Sequence, residues 1–565
     1  GNYNIAKEHE GYGSHESHID YLEVPFGRTL FLAGKGRVRG QDATEPYAAL
    51  DQHVVVHLGT PCRPGNLLVA GTVKLGDSER RKAVLKLHEG STLRLASGAV
   101  LMLSDESNLD LAPSAQLIVE PGAKVVLNGG IVKWRGQVIL LPNATFKPEG
   151  SGSIEVGRGA QLQAASGSSV HLGSSGMTAL QLEVPFEWPH SLDFCILDST
   201  SVTLAMGASL FCASPLLMNY SSFSSLAKDS VYALQASGKQ LDLRNTSFYF
   251  TEKALRIGAT CAATVENCAF YSCDTAVKAE RPLVSLSNCV FQDCSLGASL
   301  VSGSFSIEHC LFANGERAVH ASSGPGVLHF EDNQFLDHDS WAVQVKEATA
   351  RFKCNRFENN AGGLYQVGDS LLLAVNAGNL FKQNETAVKI KDALYVSLQN
   401  GHNSFVSNTK SDLVGSFSPQ ASLAVSAGLP HFNATNNTLN ASQIRLRQGQ
   451  DSVVCLIGGT ALSSNITCPN KSWTGKQDWV QPKPQVTEFR VVPNPSEGGE
   501  VRVELPLSDL ASELFVFNNL GQKILQVTLE KWTVHFPLDM SIPPGHYTLK
   551  LQQGERWYTA QWLRL

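Results

Sequence analysis

The sequence predicts an all-β chain: a three-sided parallel β-helix, or solenoid, followed by a small C-terminal β-sandwich. Three observations predict it. Nine phenylalanines, from Phe223 to Phe405, recur at gaps of 21 to 25 residues, and a fixed period of that size marks a repeat architecture. Each stands two positions after a small or amide side chain, first Ser221, Thr246, Cys268, Cys289 and Cys310, then Asn333, Asn355, Asn379 and Asn403. The segments between them alternate with period two, as in Ala342-Val343-Gln344-Val345 and Ala387-Val388-Lys389-Ile390, which is strand patterning.

A repeat of about 22 residues cannot bury its own apolar face, so neighbours must stack. Leucine-rich repeats share the length but need a Leu-x-x-Leu-x-Leu frame that is absent here. Three short strands per coil fit instead. Phe270, Phe291, Phe312, Phe335, Phe357, Phe381 and Phe405 then form one inward column with coils about 4.8 Å apart. Asn333, Asn355, Asn379 and Asn403 form a second, able to hydrogen-bond up and down through their amides. A third column, three residues after each Phe, runs Cys273, Cys294, Gly315, His338, Asn360, Asn384, Asn408.

Taken in order, the chain divides into five stretches. Residues 1–65 form an N-terminal segment and cap. His9, His15 and His18 stand there among glutamates, and a polar flexible end accounts for them better than a metal site. Residues 66–180 carry an eight-residue rhythm, Leu93, Leu101, Leu109, Leu117 and Val125, each with an aliphatic residue two positions on. A five-residue insertion around Gly129–Trp134 interrupts it, and it resumes at Val138, Phe146, Ile154, Leu162 and Val170. Three eights nearly equal one later coil, so both rhythms belong to one helix. Residues 181–440 hold the Phe, Asn and Cys columns, with 181–215 as a less regular junction. From 66 to 430 this makes roughly fifteen coils and a rod of about 70 Å. Residues 441–485 form a cap and then a polar, proline-bearing linker. The pattern already weakens from Leu429, where Asn433, Asn436, Asn437 and Asn440 suggest loops. Residues 486–565 carry seven strand signals, near 488–492, 500–505, 514–518, 523–528, 533–538, 545–552 and 557–564.

Composition limits the function. A net charge of −6 with no Lys/Arg run longer than three residues argues against nucleic acid. No apolar stretch reaches 18 residues, so no membrane span is expected. The chain begins at Gly1, as expected of a mature or trimmed product. Charged residues are only 17%, which suits an extracellular β-rich protein. Most of the 12 cysteines fit as buried packers in the columns. Cys455 and Cys468 flank a short loop and are the leading disulfide pair in an oxidising compartment; Cys195 with Cys212 is a weaker one.

Enzymatic β-helices need carboxylate pairs, or a base beside an acidic cation site, converging in one groove. The densest acidic spot holds Asp332, Asp337, His338 and Asp339. A turn after the Phe335 strand accounts for the aspartates, and the inward column accounts for His338. No phosphate loop, Gly-x-Ser-x-Gly or His-Glu-x-x-His occurs, and no metal or cofactor is called for. The residues therefore favour a non-enzymatic rod that presents surfaces for adhesion, for glycans or for a host surface, or serves as a stalk. The alternative is a polysaccharide lyase or glycoside hydrolase with a diverged groove.

The last stretch carries the most specific signal. Val491-Val-Pro493-Asn494-Pro495-Ser-Glu-Gly498, Phe515-Val-Phe-Asn-Asn-Leu-Gly521-Gln522-Lys523 and Pro544-Gly545-His-Tyr547-Thr-Leu-Lys550 stand in this order at the C-terminus. They resemble the C-terminal sorting domain of the type IX secretion system of Bacteroidetes, attached here to a right-handed parallel β-helix. The ending Gln561-Trp-Leu-Arg-Leu565 departs from the usual Lys-rich tail. The resemblance implies export through the periplasm to the medium or cell surface. It also implies recognition of residues 486–565 by the outer-membrane translocon and its shuttle protein, followed by cleavage near 479–487. It further implies O-glycosylation at Asp-Ser/Thr-aliphatic (or Thr) sites: Ser199, Ser230, Thr275, Ser370 and Ser452.

Overall fold

In a computed structural model the chain divides into two compact units, Gly1–Ser472 and Trp473–Leu565. The structure describes residues 3–5, 15–32, 53–76 and 82–421, apart from 105–106, 174–177, 226–230, 281–282, 323–326, 374–376 and 399–400. It also describes 424–426, 429–433, 437, 444–448 and 451–456. In the second unit it describes 490–492, 502–504, 512–518, 522–529, 535–537, 545–553 and 556–564.

The first unit is a parallel β-solenoid, with 17 strands stacked on one face among the described residues, from His15–Ile19 to Ser404–Val406. Each coil lays one strand on each of three faces. In one coil these are Val284–Ser287 on the first face, Val290–Gln292 on the second and Leu296–Val301 on the third. Each pairs in parallel with its counterpart one coil on, Phe305–Glu308, Leu311–Ala313 and Arg317–Ser322. Alternation sends every second side chain inward, so Leu286, Phe291 and Leu300 are at most 1% exposed. The second face runs without a break across the predicted junction, through Gly152–Val156, Thr178–Leu182, Thr200–Leu204 and Ser222–Ser225. The two sequence rhythms are therefore one rod.

Three expectations need correction. Gly129–Trp134 holds no insertion. Ile131–Trp134 is a second-face strand, paired with Asn108–Leu111 on one side and Ser153–Val156 on the other. The coil there is simply shorter, matching Leu117 to Val138, so the inward spacing drops below eight. The solenoid also starts before residue 66. His15–Ile19, Tyr21–Val24 and Thr29–Leu32 already pair in parallel with the next coil, and the His18 ring stacks on His57 at 4.7 Å. Finally, Asn433 ends the strand Leu429–Asn433, and Asn437 continues the inward amide column described below. The run of coil-to-coil pairing is interrupted where Ile444–Gln448 pairs antiparallel with Asp451–Leu456, which in turn pairs in parallel with Leu429–Asn433, so the last coil's edge is covered by its own chain.

The corners explain the columns. Just before each inward residue stands one in the left-handed region. Asn267, Asn288, His309, Asp332, Cys354, Gly378 and His402 occupy one corner, and Ser272, Asp293, Asn314, Asp337, Asn359, Gln383 and Ser407 the next, all with φ of 53° to 62°. A single such residue turns the chain between faces, and Asn and Asp tolerate it best. The residue that follows points inward. Asn333, Asn355, Asn379, Asn403 and Asn437 form an unbroken amide chain, each Nδ2–H donating to the next Oδ1 at 2.8–3.0 Å. Each Oδ1 also accepts a backbone N–H from the coil before, and Nδ2 also donates to a first-face carbonyl such as Phe330 O. Asn360, Asn384 and Asn408 repeat this at the other corner. Tight bends leave backbone groups unpaired, and buried ones are costly; the amides satisfy them. The phenylalanine rings from Phe223 to Phe405 stack with centroids 4.4–5.3 Å apart.

Cys268, Cys289 and Cys310 are free and buried, their thiols donating to Glu266, Ser287 and Glu308 carbonyls at 3.3 Å. Burial pushes the Cys268 and Cys310 thiols up, so they pack as protonated groups. Cys195 and Cys212 are likewise free rather than bridged, both facing the Ser214 hydroxyl at 3.2 and 3.7 Å. Cys354, in a corner column otherwise filled by Asn, His, Asp and Gly, is disulfide-bonded. Cys455 lies on the strand Asp451–Leu456, and Cys468 lies outside the described residues.

The second unit has two antiparallel sheets. One joins Arg490–Val492, Arg502–Glu504 and His535–Pro537. The other joins Ser512–Asn518, Lys523–Leu529, Gly545–Gln553 and Arg556–Arg564. Val503 of the first shares a core with Leu514, Val516, Tyr547, Leu549 and Leu551 of the second.

Candidate functional site

The acidic spot does not assemble into a site. Asp332 and Asp337 are corner residues with φ of 53° and 57°. The Asp332 carboxylate pairs with His309 Nδ1 at 2.9 Å. Asp337 and Asp339 face solvent, whereas His338 is 3% exposed. Its Nδ1–H donates to Leu336 O at 2.8 Å, and its backbone N–H donates to Asn360 Oδ1 at 3.0 Å. It is a column residue, on the opposite side of the wall from the two aspartates that flank it.

Burial lowers the His338 pKa to about 4, against weaker raising by the Leu336 and Asp337 backbone hydrogen bonds. A depressed imidazole pKa favours the fold while the ring is neutral. That stability is complete above the unfolded value near 6.5 and is lost as pH falls from there towards 4. The expected loss is about 3 kcal/mol. His338→Asn would continue the amide chain and remove this share of the acid sensitivity. Denaturant titrations of both proteins at pH 7.5 and 4.5 check it; equal pH dependence in the two would refute the assignment.

The other predicted residues divide by exposure. Ser199 is half-buried in a turn, and Thr275 and Ser370 are half-buried on their strands. Ser452 lies on Asp451–Leu456, and Ser230 lies outside the described residues. Of the sorting motif, Pro493, Asn494, Pro495, Gly498 and Gly521 also lie outside them. Gln522 closes a hairpin, its N–H donating to Asn518 Oδ1 at 2.9 Å and its carbonyl accepting the Asn518 N–H at 3.0 Å. Gly545 opens a strand opposite Arg564. Tyr547 is buried in the core. Lys523 and Lys550 are exposed, with ammonium groups over Phe515 at 5.7 Å and Phe517 at 5.8 Å. With Trp557 these four line a cleft of about 600 Å³.

On the solenoid, a groove of about 550 Å³ lies along the first face. Lys239 stands at one end and His329 at the other, with Thr264, Ser285 and Ser306 between them. Thr264, Ser285, Ser306 and His329 occupy one register column on successive coils. Exposed Leu283 makes part of the wall. No Asp or Glu lines the groove among the described residues; Asp242 pairs in register with Thr264 one coil before it, and Ser306 Oγ–H donates to Glu308 at 2.5 Å. A row of hydroxyls beside apolar ground suits hydrogen bonding and stacking against a polyol. It lacks the paired carboxylates that glycoside hydrolysis needs. Reading only inward columns misses it, although outward Thr264, Ser285 and Ser306 recur every 21 residues.

Among the described residues no helix is long and apolar enough to cross a membrane. No curated protein matches the chain. Residues 207–353 and 253–410 match the family described as right handed beta helix region. That match covers the Phe column and the Asn column as far as Asn403, and with the parallel three-faced coils it supports a right-handed parallel β-helix.

Proposed function

We propose that the protein is a non-enzymatic, glycan-binding rod exported to the medium or cell surface, with its C-terminal unit as the export signal. The observation that carries the binding role is the hydroxyl column of Thr264, Ser285 and Ser306 in an acid-free groove. Sugars are bound by such spaced donors and acceptors beside apolar surface. The test is a screen of the full chain against neutral plant, algal and host glycans, scored for both binding and cleavage. Binding without new reducing ends is expected, and Ser285→Trp should block it by filling the groove. Release of reducing ends would sink the non-enzymatic reading.

The export role rests on the motif order in residues 491–550 and on the separate compact unit that holds it. Gln522, Lys523 and Lys550 are the exposed motif members there. Beside Phe515, Phe517 and Trp557 they offer an aromatic and cationic face for a partner such as the translocon or its shuttle. In a Bacteroidetes host, a chain ending at Ser472 is expected to accumulate in the periplasm while the full chain leaves it. Equal export of both would refute this role.

A further inference from the structure

The third face carries a second surface, set apart from the groove on the first. Elsewhere on the rod many cations are matched between or within coils. Arg94 pairs with Glu120, Arg244 with Asp242, Arg256 and Lys278 with Glu280, and Lys382 with Glu358. The four third-face strands Arg317–Ser322, Trp341–Lys346, Gly362–Val367 and Thr386–Ala393 gather several unmatched cations on neighbouring coils of one face. Arg317, Lys346, Lys389 and Lys391 have no carboxylate partner among the described residues. The Arg317 Nε is buried without a hydrogen-bond partner, and Nη1 lies 3.4 Å from His320 Nδ1. The one acid on these strands, Asp392, accepts from Ser416 Oγ at 3.2 Å, and exposed Glu316 and Glu347 stand only at the strand ends. Burial first, then the charges of Arg317 and Lys346, hold the His320 pKa below its usual value.

An aromatic platform is built into the same strip. Gly362 pairs with Trp341, and a Cβ at Gly362 would collide with the indole. Glycine on a strand marks a close approach; here, at the first position of Gly362–Val367, it leaves room for the indole across the next coil. The Tyr365 ring sits 5.3 Å from it. Lys389 Nζ lies 5.0 Å from the Tyr365 centroid and 5.9 Å from that of Trp341.

We infer that this strip binds a linear anionic polysaccharide lying along the solenoid axis, with a sugar ring on the Trp341–Tyr365 platform and its acidic groups on Arg317, Lys346 and Lys391. Unmatched cations on neighbouring coils repel one another, and a polyanion supplies the missing charge. Pyranose rings repeat along a chain at close to the coil spacing of about 4.8 Å. A flat aromatic face meets the C–H face of a sugar, and the cationic rim meets its sulfate or carboxylate groups. The surface does not depend on the groove on the first face: either can bind while the other does not.

The test uses the full chain in affinity electrophoresis through gels containing dextran sulfate, alginate or neutral dextran. Single-stranded DNA serves as a soluble competitor, at low and at 0.3 M salt. Retardation by the charged gels only, weakened by salt, is expected. The stronger of the two charged gels assigns sulfate or carboxylate as the preferred group. Lys346→Gln/Lys391→Gln, both at exposed positions, should weaken retardation at least tenfold, and Trp341→Ala several-fold, with unchanged circular dichroism. Wild-type retardation by the double variant, or DNA displacing the glycan as effectively as free dextran sulfate does, would overturn the inference.

Discussion

Asn379→Leu is expected to cost about 3–5 kcal/mol while changing side-chain volume little. Its amide makes four buried hydrogen bonds: Oδ1 accepts from Asn355 N and Nδ2 at 3.0 Å, and Nδ2 donates to Phe352 O at 3.0 Å and Asn403 Oδ1 at 2.8 Å. Asn355 Nδ2 keeps donors' partners at Phe330 O and Lys353 O, and Asn403 Oδ1 keeps the Asn379 N–H. The orphans are therefore two backbone groups, the Asn355 N–H and the Phe352 carbonyl. Each unsatisfied buried group costs about 1–3 kcal/mol, and leucine offers no replacement. Because coils contact mainly their neighbours, the damage should be local. Hydrogen exchange at Asn355 and its coil should accelerate far more than exchange near Leu101. Loss below about 1 kcal/mol, or uniform acceleration along the rod, would show that the amide chain is dispensable.

Phe335→Ala is expected to cost about 3–5 kcal/mol and Phe335→Leu clearly less. The ring is 0% exposed, stacked between Phe312 at 5.3 Å and Phe357 at 4.7 Å, with Phe330 edge-on at 6.4 Å. Alanine leaves a cavity that paired strands on both sides hold open. It also removes two stacking contacts, each worth about 0.5–1.5 kcal/mol beyond area burial. Guanidinium unfolding of the three proteins measures both differences. If alanine and leucine cost the same, ring stacking and the cavity contribute little.

Both predictions concern columns that are plain in the sequence, and the reason is geometric. Stacked coils put chemically like residues in one environment, so inward positions repeat and can be counted. That regularity made the solenoid and the inward placement of His338 legible from residue order, whereas the C-terminal strands were legible from their own alternation between turn residues. It failed where the period drifted. Ile131–Trp134 looked like an insertion because its coil is short, and Asn437 looked like a loop residue because 34 residues separate it from Asn403.

Sequence alone determined the repeat, its strand alternation and the identity of the buried columns, since burial imposes the pattern directly. Only the tertiary structure decided what the outside can do. Outward side chains carry no packing constraint, so their meaning depends on neighbours one or more coils away. The aspartates around His338 became corner residues once their φ angles were known. Thr264, Ser285 and Ser306 became a groove once their register was fixed. Trp341, Gly362, Tyr365 and Lys389 became a platform only when parallel pairing brought four separate stretches side by side.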